Sequence, residues 1–152
     1  MTYLVTGAAG FIGFHLARLL LEEDSVVHGY DGMTDYYDVD LKRQRNAILA
    51  GYPNYSFTKG MLEDNQLMEA ATDRFAPNVI IHLAAQAGVR YSLENPRTYV
   101  ESNVMGTFTV MEAAKRLKVR HLLMASTSSV YGANEAMPFT ETERADTQLS
   151  MY

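Results

Sequence analysis

Five short apolar runs divide the chain, and helical patterns of apolar and polar positions fill the stretches between them. The runs are Tyr3–Thr6, Ser25–Asp31, Tyr55–Lys59, Val79–Leu83 and His121–Ser126. Short apolar runs of this length predict buried strands, and their alternation with helices predicts parallel pairing. Because crossovers between parallel strands are right-handed, the pattern predicts an α/β fold: a doubly wound parallel sheet of about five strands in the order 3-2-1-4-5.

Three helical segments are predicted between the runs. The first covers His15–Glu23, and the second covers Val39–Leu49 and is stopped by Gly51 and Pro53. The third, Pro96–Leu117, carries more apolar positions than one buried face requires. This surplus predicts that a second subunit covers the other face of the helix, as in a homodimer.

A glycine-rich turn links the first run to the first helix. Gly7 permits the tight turn, Gly10 lets the backbone approach a ligand, and Gly13 lets the helix pack close to the strand. Free N–H groups and the helix dipole then face an anion. The spacing predicts a Rossmann-like site for the pyrophosphate of a dinucleotide, and the alternative is a structural turn that binds nothing.

An acidic residue ends the second run where such a site requires one. Asp31 lies 18 residues beyond Gly13, and a carboxylate there accepts hydrogen bonds from both hydroxyls of the adenosine ribose. It also repels a 2′-phosphate, so the predicted cofactor is NAD rather than NADP. The alternative is a surface aspartate with no ligand.

Small and polar residues follow the fourth and fifth runs, at the sheet edge where doubly wound folds bind ligands. In His82–Arg90, small residues let the backbone pass close to a cofactor, and Gln86 can donate to it. Ser126–Ser129 places four hydroxyls in a row, which predicts substrate hydroxyls or phosphates as partners for buried polar groups. The alternatives are a plain small-residue turn and a turn capped by local backbone bonds.

Composition narrows the classes of function. With 152 residues, of which 47% are hydrophobic, the chain is predicted to form one domain, residues 1–152. A net charge of −5 and only short basic patches argue against a nucleic-acid partner. Cysteine is absent and the four histidines lack metal-ligand spacing, so we predict no metal site. Without a signal-peptide pattern or a run of roughly 20 apolar residues, we expect a cytoplasmic protein with no membrane partner.

Several motifs together resemble the extended short-chain dehydrogenase/reductases: Thr6–Gly13, His82–Gln86, Asn103–Thr107 and Ser128–Gly132. Within that family the sequence is most similar to UDP-glucuronate 4-epimerases, on the stretches Asp35–Arg43 and Ala85–Pro96. The resemblance covers the chain from end to end but only the first part of the family's proteins. It implies that further strands and a smaller substrate domain follow residue 152 in such proteins.

The resemblance implies an enzyme that epimerises UDP-glucuronate to UDP-galacturonate at C4 through a 4-keto intermediate, with NAD as cofactor. Tyr152 matches the family's proton-transferring tyrosine, whose lysine partner would lie four residues later. Thr127 matches its hydroxyl partner on the 4-oxygen. Arg90, Ser128 and Ser129 match positions near the nucleotide sugar.

The resemblance also implies a set of cofactor-binding residues: Gly7, Gly10, Phe11, Ile12, Gly13, Asp31, Leu62, Leu83, Ala84, Ala85, Gln86, Asn103 and Ser126. One position departs from the family pattern. Met61 stands where relatives usually carry an aspartate that contacts adenine. The loss of a polar contact there predicts weaker NAD binding.

Two alternatives stay open. The 4-keto acid is prone to lose its carboxylate, so a UDP-glucuronate decarboxylase, or another nucleotide-sugar epimerase or dehydratase, is the first. The second is a non-catalytic NAD-binding fragment or pseudoenzyme, since the chain stops before the lysine and leaves its fifth strand as an exposed edge. We expect the 152 residues alone to bind NAD weakly and to show no epimerisation.

Overall fold

A five-stranded parallel sheet forms the centre of the computed structural model, which describes all 152 residues. All four neighbouring pairs are parallel, and the order is β3-β2-β1-β4-β5. The predicted doubly wound fold and strand order are therefore confirmed. The strands are β1 (Thr2–Thr6), β2 (Val26–Asp31), β3 (Tyr55–Lys59), β4 (Val79–His82) and β5 (His121–Met124).

Helices connect the strands and cover both faces of the sheet. They are α1 (Phe11–Glu22), α2 (Val39–Leu49), α3 (Asn65–Phe75), α4 (Val89–Glu94), α5 (Pro96–Tyr99) and α6 (Gly106–Leu117), with a π-helical segment at Val100–Met105 and a 3-10 helix at Ser128–Tyr131. The predicted bounds of α2 are confirmed. Helix α1 begins earlier than predicted, because Gly10 occupies its N-cap position and the glycine turn runs directly into the helix.

The third predicted helix is divided in the structure. Where the sequence pattern predicts one helix from Pro96 to Leu117, α5 leads into the π-helical segment Val100–Met105 and then into α6. A π-helical turn widens the hydrogen-bonded ring by one residue and shifts the side chains that follow it around the helix. The faces of α5 and α6 therefore do not follow a single 3.6-residue period.

Two buried clusters lie on opposite faces of the sheet. Leu4 and Val5 are both fully buried, and successive side chains of a strand point to opposite faces. Val5 joins a cluster with Phe14 and Leu21 of α1, and Leu4 joins one with Met68 of α3 and residues of α6. Each fully buried side chain of this size contributes about 1.5–3 kcal/mol. No helix combines the length and apolar character that spanning a bilayer requires.

Two histidines are buried in the sheet, each between two hydroxyl groups. His28 of β2 has Ser56 Oγ at 2.7 Å and Thr58 Oγ1 at 2.9 Å. His82 of β4 has Thr6 Oγ1 at 2.7 Å and Thr107 Oγ1 at 3.1 Å. Burial lowers the pKa of both imidazoles to about 4, and at His28 the nearby positive charge of an arginine adds to the effect.

These two pKa values predict that stability falls as the solution is acidified. An unfolded histidine has a pKa of about 6.5, so between about pH 6.5 and pH 4 unfolding takes up protons at His28 and His82. Their contribution to stability is present above pH 6.5 and is lost as the pH falls toward 4. Urea midpoints measured across this range should decrease steadily. The double variant His28→Gln/His82→Gln, although less stable at neutral pH, should give a flatter profile, and an unchanged slope would contradict the assignment.

Candidate functional site

A cavity of about 350 Å³ opens at the carboxyl ends of β1, β2 and β4. It brings together most of the residues expected to bind the cofactor: Gly7, Gly10, Phe11, Ile12, Gly13, Asp31, Leu62, Leu83, Ala84, Ala85 and Gln86. Asn103 and Ser126 are not among its lining residues. Carboxyl ends of strands at the reversal of strand order are where open α/β sheets bind ligands.

The glycine turn forms one wall of the cavity. Gly7 has a φ of 72°, a conformation that favours glycine, and its N–H donates to the carbonyl oxygen of Tyr30 at 2.7 Å. A Cβ at Gly13 would overlap the Gly7 carbonyl, so α1 packs directly against the turn. The first turn of α1 has no side-chain cap and no acidic residue. Its N–H groups and the positive end of the helix dipole therefore face the cavity, which suits an anionic group.

Asp31 forms the second wall, at the end of β2. Its side chain is buried, with Oδ2 accepting from the N–H of Ala9 at 3.1 Å and Oδ1 accepting from the N–H of Met33 at 2.8 Å. Asp31 is therefore buried and does not lie on the surface. The carboxylate joins the end of β2 to the glycine turn, so both features of the predicted dinucleotide site face one cavity.

Lys42 of α2 is a lining residue that sequence reasoning missed. The short basic patch that contains it reads as a solvated helix face, yet Lys42 is only 6% exposed. Its Nζ lies 3.9 Å from Asp31 Oδ1, donates to Thr34 Oγ1 at 3.1 Å, and lies 4.7 Å from the centre of the Tyr37 ring. Helix α2 begins beside the cavity, and its first turn directs this lysine inward. The resulting positive charge partly balances the buried carboxylate.

Other lining residues come from the loops beside Asp31 and from the π-helical segment. They are Gly32, Thr34, Tyr37, Met61 and Ser102. Met61, the position that departs from the family pattern, lies in the cavity wall and is 37% exposed. No periodicity marks these loop residues, and only the Asp35–Arg43 resemblance could have drawn attention to Tyr37.

The segment after β4 forms the third wall and is held by side chains from two other elements. The N–H groups of Leu83 and Ala84 both donate to Thr6 Oγ1 at 3.1 Å. Asn103 accepts from the Gln86 N–H at 2.7 Å and donates to the Gln86 carbonyl at 2.9 Å. Asn103 therefore holds the lining segment in place without lining the cavity. The Gln86 amide donates to the Ala87 carbonyl at 3.3 Å.

The four hydroxyls after β5 differ from the expectation that they are buried. Ser126 and Ser128 are exposed, while Thr127 and Ser129 are half-buried. The physical reason is that β5 is an edge strand, paired only with β4. Thr127 Oγ1 accepts from the Ser129 N–H at 3.2 Å and caps the 3-10 helix, so local backbone bonding accounts for its position.

The two remaining predicted residues lie outside the cavity lining. Arg90 is exposed on α4. The Tyr152 ring lies 5.9 Å from the ring of Tyr99, whose hydroxyl donates to the Ala87 carbonyl at 2.8 Å. Tyr152 therefore packs beside the segment that follows β4, through a tyrosine anchored to that segment.

A parallel sheet in this order, with a glycine turn entering a helix and an acidic residue closing the next strand, defines a Rossmann-like domain. The family model described as GDP-mannose 4,6 dehydratase matches residues 4–152. The chain belongs to this family.

Two individual relatives match this chain over nearly its whole length. The chain is 53% identical over 152 residues to a probable UDP-glucuronate 4-epimerase from Rhizobium meliloti, covering 100% of this chain and 45% of that protein. It is 44% identical to a UDP-glucuronate 4-epimerase from Thermodesulfobacterium geofontis, covering 99% of this chain and 46% of that protein. The chain thus spans somewhat less than half the length of these relatives.

Solved structures show the same similarity. A variant of UDP-glucuronic acid 4-epimerase from Bacillus cereus, in complex with NAD and UDP-4-deoxy-4-fluoro-glucuronic acid, superposes with a TM-score of 0.84 at 32% identity, over 99% of this chain and 47% of that one. The UDP-Glc/GlcNAc 4-epimerase from Campylobacter jejuni superposes with a TM-score of 0.89 at 26% identity, over 99% of this chain and 44% of that one.

Because Lys42 is buried and Arg43 is exposed, substitutions of these two neighbouring residues should change the free energy of unfolding by different amounts. Lys42→Met leaves the buried Asp31 carboxylate without its cation and should lower the free energy of unfolding by about 1–3 kcal/mol. Arg43→Met breaks the exposed pair with Asp40, at 2.7 Å, and should cost less than about 1 kcal/mol. Urea denaturation of both variants at neutral pH makes the comparison. A Lys42→Met protein as stable as the Arg43→Met protein would show that the ammonium gives Asp31 no support.

Proposed function

We propose that this chain is the NAD-binding part of a nucleotide-sugar 4-epimerase whose substrate is UDP-glucuronate. The observation that carries the proposal is the convergence of the uncapped first turn of α1 and the buried Asp31 carboxylate on one cavity. The 53% identity to a probable UDP-glucuronate 4-epimerase and the similarity to an epimerase structure that holds NAD support it.

The residues around the cavity fit NAD in their chemistry. The missing Cβ atoms of Gly7 and Gly13 let the segment after β4 and helix α1 pack directly against the turn. The uncapped N–H groups of the first turn of α1 then face the cavity, where the helix dipole favours the negative charge of a pyrophosphate. Asp31 Oδ1 and Oδ2 each accept one backbone N–H, and carboxylate oxygens have further lone pairs for ribose hydroxyls. Lys42 would reduce the repulsion between this carboxylate and the cofactor phosphates.

The chemistry that bound NAD would supply is reversible hydride transfer at C4 of the sugar, so the overall reaction would have no net redox change. The chain's own residues would handle the proton and the 4-oxygen. Tyr152 would accept the proton of the 4-hydroxyl as a phenolate, and Thr127 would donate a hydrogen bond to the 4-oxygen. A phenol with a pKa of about 10 requires a nearby positive charge to act at neutral pH. A lysine four residues beyond Tyr152 would supply it in the longer protein.

The proposal also covers the residues that would contact the sugar and the surface that would form a homodimer. Arg90, Ser128 and Ser129 would contact the nucleotide sugar, together with a smaller substrate domain that follows residues 1–152 in the longer protein. Apolar side chains on the helical stretch, including Val104, 57% exposed, and Phe108, 56% exposed, would form a homodimer interface.

Cofactor binding tests the first half of the proposal. Gly13→Ala places a Cβ on the Gly7 carbonyl and should reduce NAD affinity at least about tenfold by moving α1 away from the turn. Gly51→Ala, beyond the end of α2, should leave affinity unchanged, because its Cβ would meet only the Ile48 carbonyl at 3.2 Å. Calorimetric titration of the protein and both variants with NAD gives the answer. Equal affinity for all three proteins would remove the glycine turn from the binding site.

Product identity tests the second half. A protein that contains this chain followed by its substrate domain should convert UDP-glucuronate to UDP-galacturonate. Tyr152→Phe should lower kcat by about 10²–10⁴-fold because it removes the proton acceptor. Tyr52→Phe, whose hydroxyl meets only Glu22 on the surface, should leave kcat unchanged. Nuclear magnetic resonance of the products separates the outcomes: a UDP-pentose formed with loss of CO₂ would establish a decarboxylase instead.

A further inference from the structure

His82 is a buried polar residue for which the proposed chemistry has no use. It ends β4 directly before the segment that lines the cavity, and it is 5% exposed. Its Nδ1 lies 2.7 Å from Thr6 Oγ1, and its Nε2 lies 3.1 Å from Thr107 Oγ1. The imidazole therefore bridges the end of β1 and the start of α6.

The direction of each hydrogen bond follows from counting donors and acceptors. Thr6 Oγ1 accepts from the N–H groups of Leu83 and Ala84, both at 3.1 Å, and the Leu83 N–H is shared with the Thr6 carbonyl at 3.3 Å. A hydroxyl has two lone pairs and one proton, so the Thr6 proton is left to donate to His82 Nδ1. Nδ1 then carries no hydrogen, and Nε2–H donates to Thr107. Only a neutral imidazole in one tautomer satisfies all four bonds, and burial, which lowers the His82 pKa to about 4, keeps the ring neutral.

The Thr6 hydroxyl holds two N–H groups of the segment that packs against the glycine turn. Leu83 and Ala84 line the cavity, and a Cβ on Gly7 would lie 2.9 Å from the Ala84 nitrogen. The segment after β4 thus rests directly on the Gly7 turn, with Thr6 as the anchor for two successive N–H groups. If the Thr6 proton pointed elsewhere, one of its lone pairs would be lost to that segment.

We propose that His82 is a positioning residue: by accepting the Thr6 proton, it holds the Thr6 hydroxyl as a double acceptor and fixes Leu83 and Ala84 against the glycine turn in the geometry that binds NAD. The proposal rests on the NAD-binding function proposed above. A wall that is fixed before the ligand arrives lowers the ordering cost of binding, so loosening it weakens affinity.

The chain supplies its own control. His28 is equally buried, has an equally lowered pKa and also bridges two hydroxyls, but its partners Ser56 and Thr58 join β2 to β3 outside the cavity. A substitution at His28 costs a comparable pair of buried hydrogen bonds. It does not touch the wall of the cavity.

The test compares substitutions of His82 and Thr6 that keep a hydrogen-bond acceptor with substitutions that remove it. His82→Leu should raise the Kd for NAD about fivefold to tenfold, the effect of one lost hydrogen bond. Thr6→Val removes the acceptor of both N–H groups and should raise the Kd at least as much. His82→Asn presents an oxygen near the Nδ1 position and should restore most of the affinity, as should Thr6→Ser. The double variant Thr6→Val/His82→Leu should bind no more weakly than Thr6→Val, because the two residues act as one unit. His28→Leu should leave the Kd unchanged despite its loss of stability.

Two readouts on the protein without NAD separate this proposal from the proposed function. Hydrogen exchange at the Leu83 and Ala84 amides should accelerate in His82→Leu and remain as in the parent in His28→Leu. Nitrogen-15 resonances of the His82 ring should show Nε2 protonated and Nδ1 unprotonated at neutral pH. A protonated Nδ1, or unchanged exchange at both amides in His82→Leu, would overturn the positioning role. If the parent protein does not bind NAD, the function proposal fails, while these two readouts still decide how the segment is held.

Discussion

The site depends on the packing of the first turn of α1 against the Gly7 carbonyl, where Gly13 leaves no room for a side chain. This contact sets where the helix begins relative to the sheet. It turns the uncapped N–H groups of α1 toward the carboxyl ends of the strands. The N–H of Gly7 also donates to the Tyr30 carbonyl, so the turn is tied to β2 as well as to β1. The remaining walls of the cavity are positioned relative to this turn.

Each of those walls is held by a polar side chain from a different element. Asp31 accepts from Ala9 in the turn, and Lys42 approaches Asp31 from α2. In the segment after β4, Thr6 holds Leu83 and Ala84, and Asn103 holds Gln86. Buried polar groups of this kind contribute only modestly to stability when paired but are costly when left unpaired. They therefore favour one arrangement of the backbone around the cavity, which is the requirement for a preorganised cofactor site.

The features that could be predicted from the sequence are those set by local chemistry. Strand positions, the bounds of α2 and the strand order follow from apolar periodicity, turn residues and crossover handedness. The position of Asp31 follows from its spacing beyond the glycine turn. The burial of Lys42 could not be predicted, since it depends on how α2 packs against the cavity, and a lysine beside Arg43 looks solvated in sequence. The interruption of the third helix at Val100–Met105 has no signal in the hydrophobic pattern.

The hydroxyls after β5 show the opposite error to Lys42: the sequence predicts that they are buried, and the structure leaves them exposed or half-buried. The apolar run that precedes these hydroxyls predicts that they are buried. Burial at an edge strand depends on what covers that strand, and hydrophobic periodicity carries no information about this. Only the family resemblance predicts Asn103 as a site residue. Its hydrogen bonds to Gln86 could not be predicted, because Asn103 lies in the π-helical segment and the sequence pattern does not indicate that segment.

The most direct test of the account is a crystal structure of the protein with NAD. We predict the pyrophosphate beside the N–H groups of Phe11 and Ile12 at the start of α1, and the adenosine ribose hydroxyls within hydrogen-bond distance of Asp31. NAD bound elsewhere on the sheet, or a ribose directed away from Asp31, would contradict it.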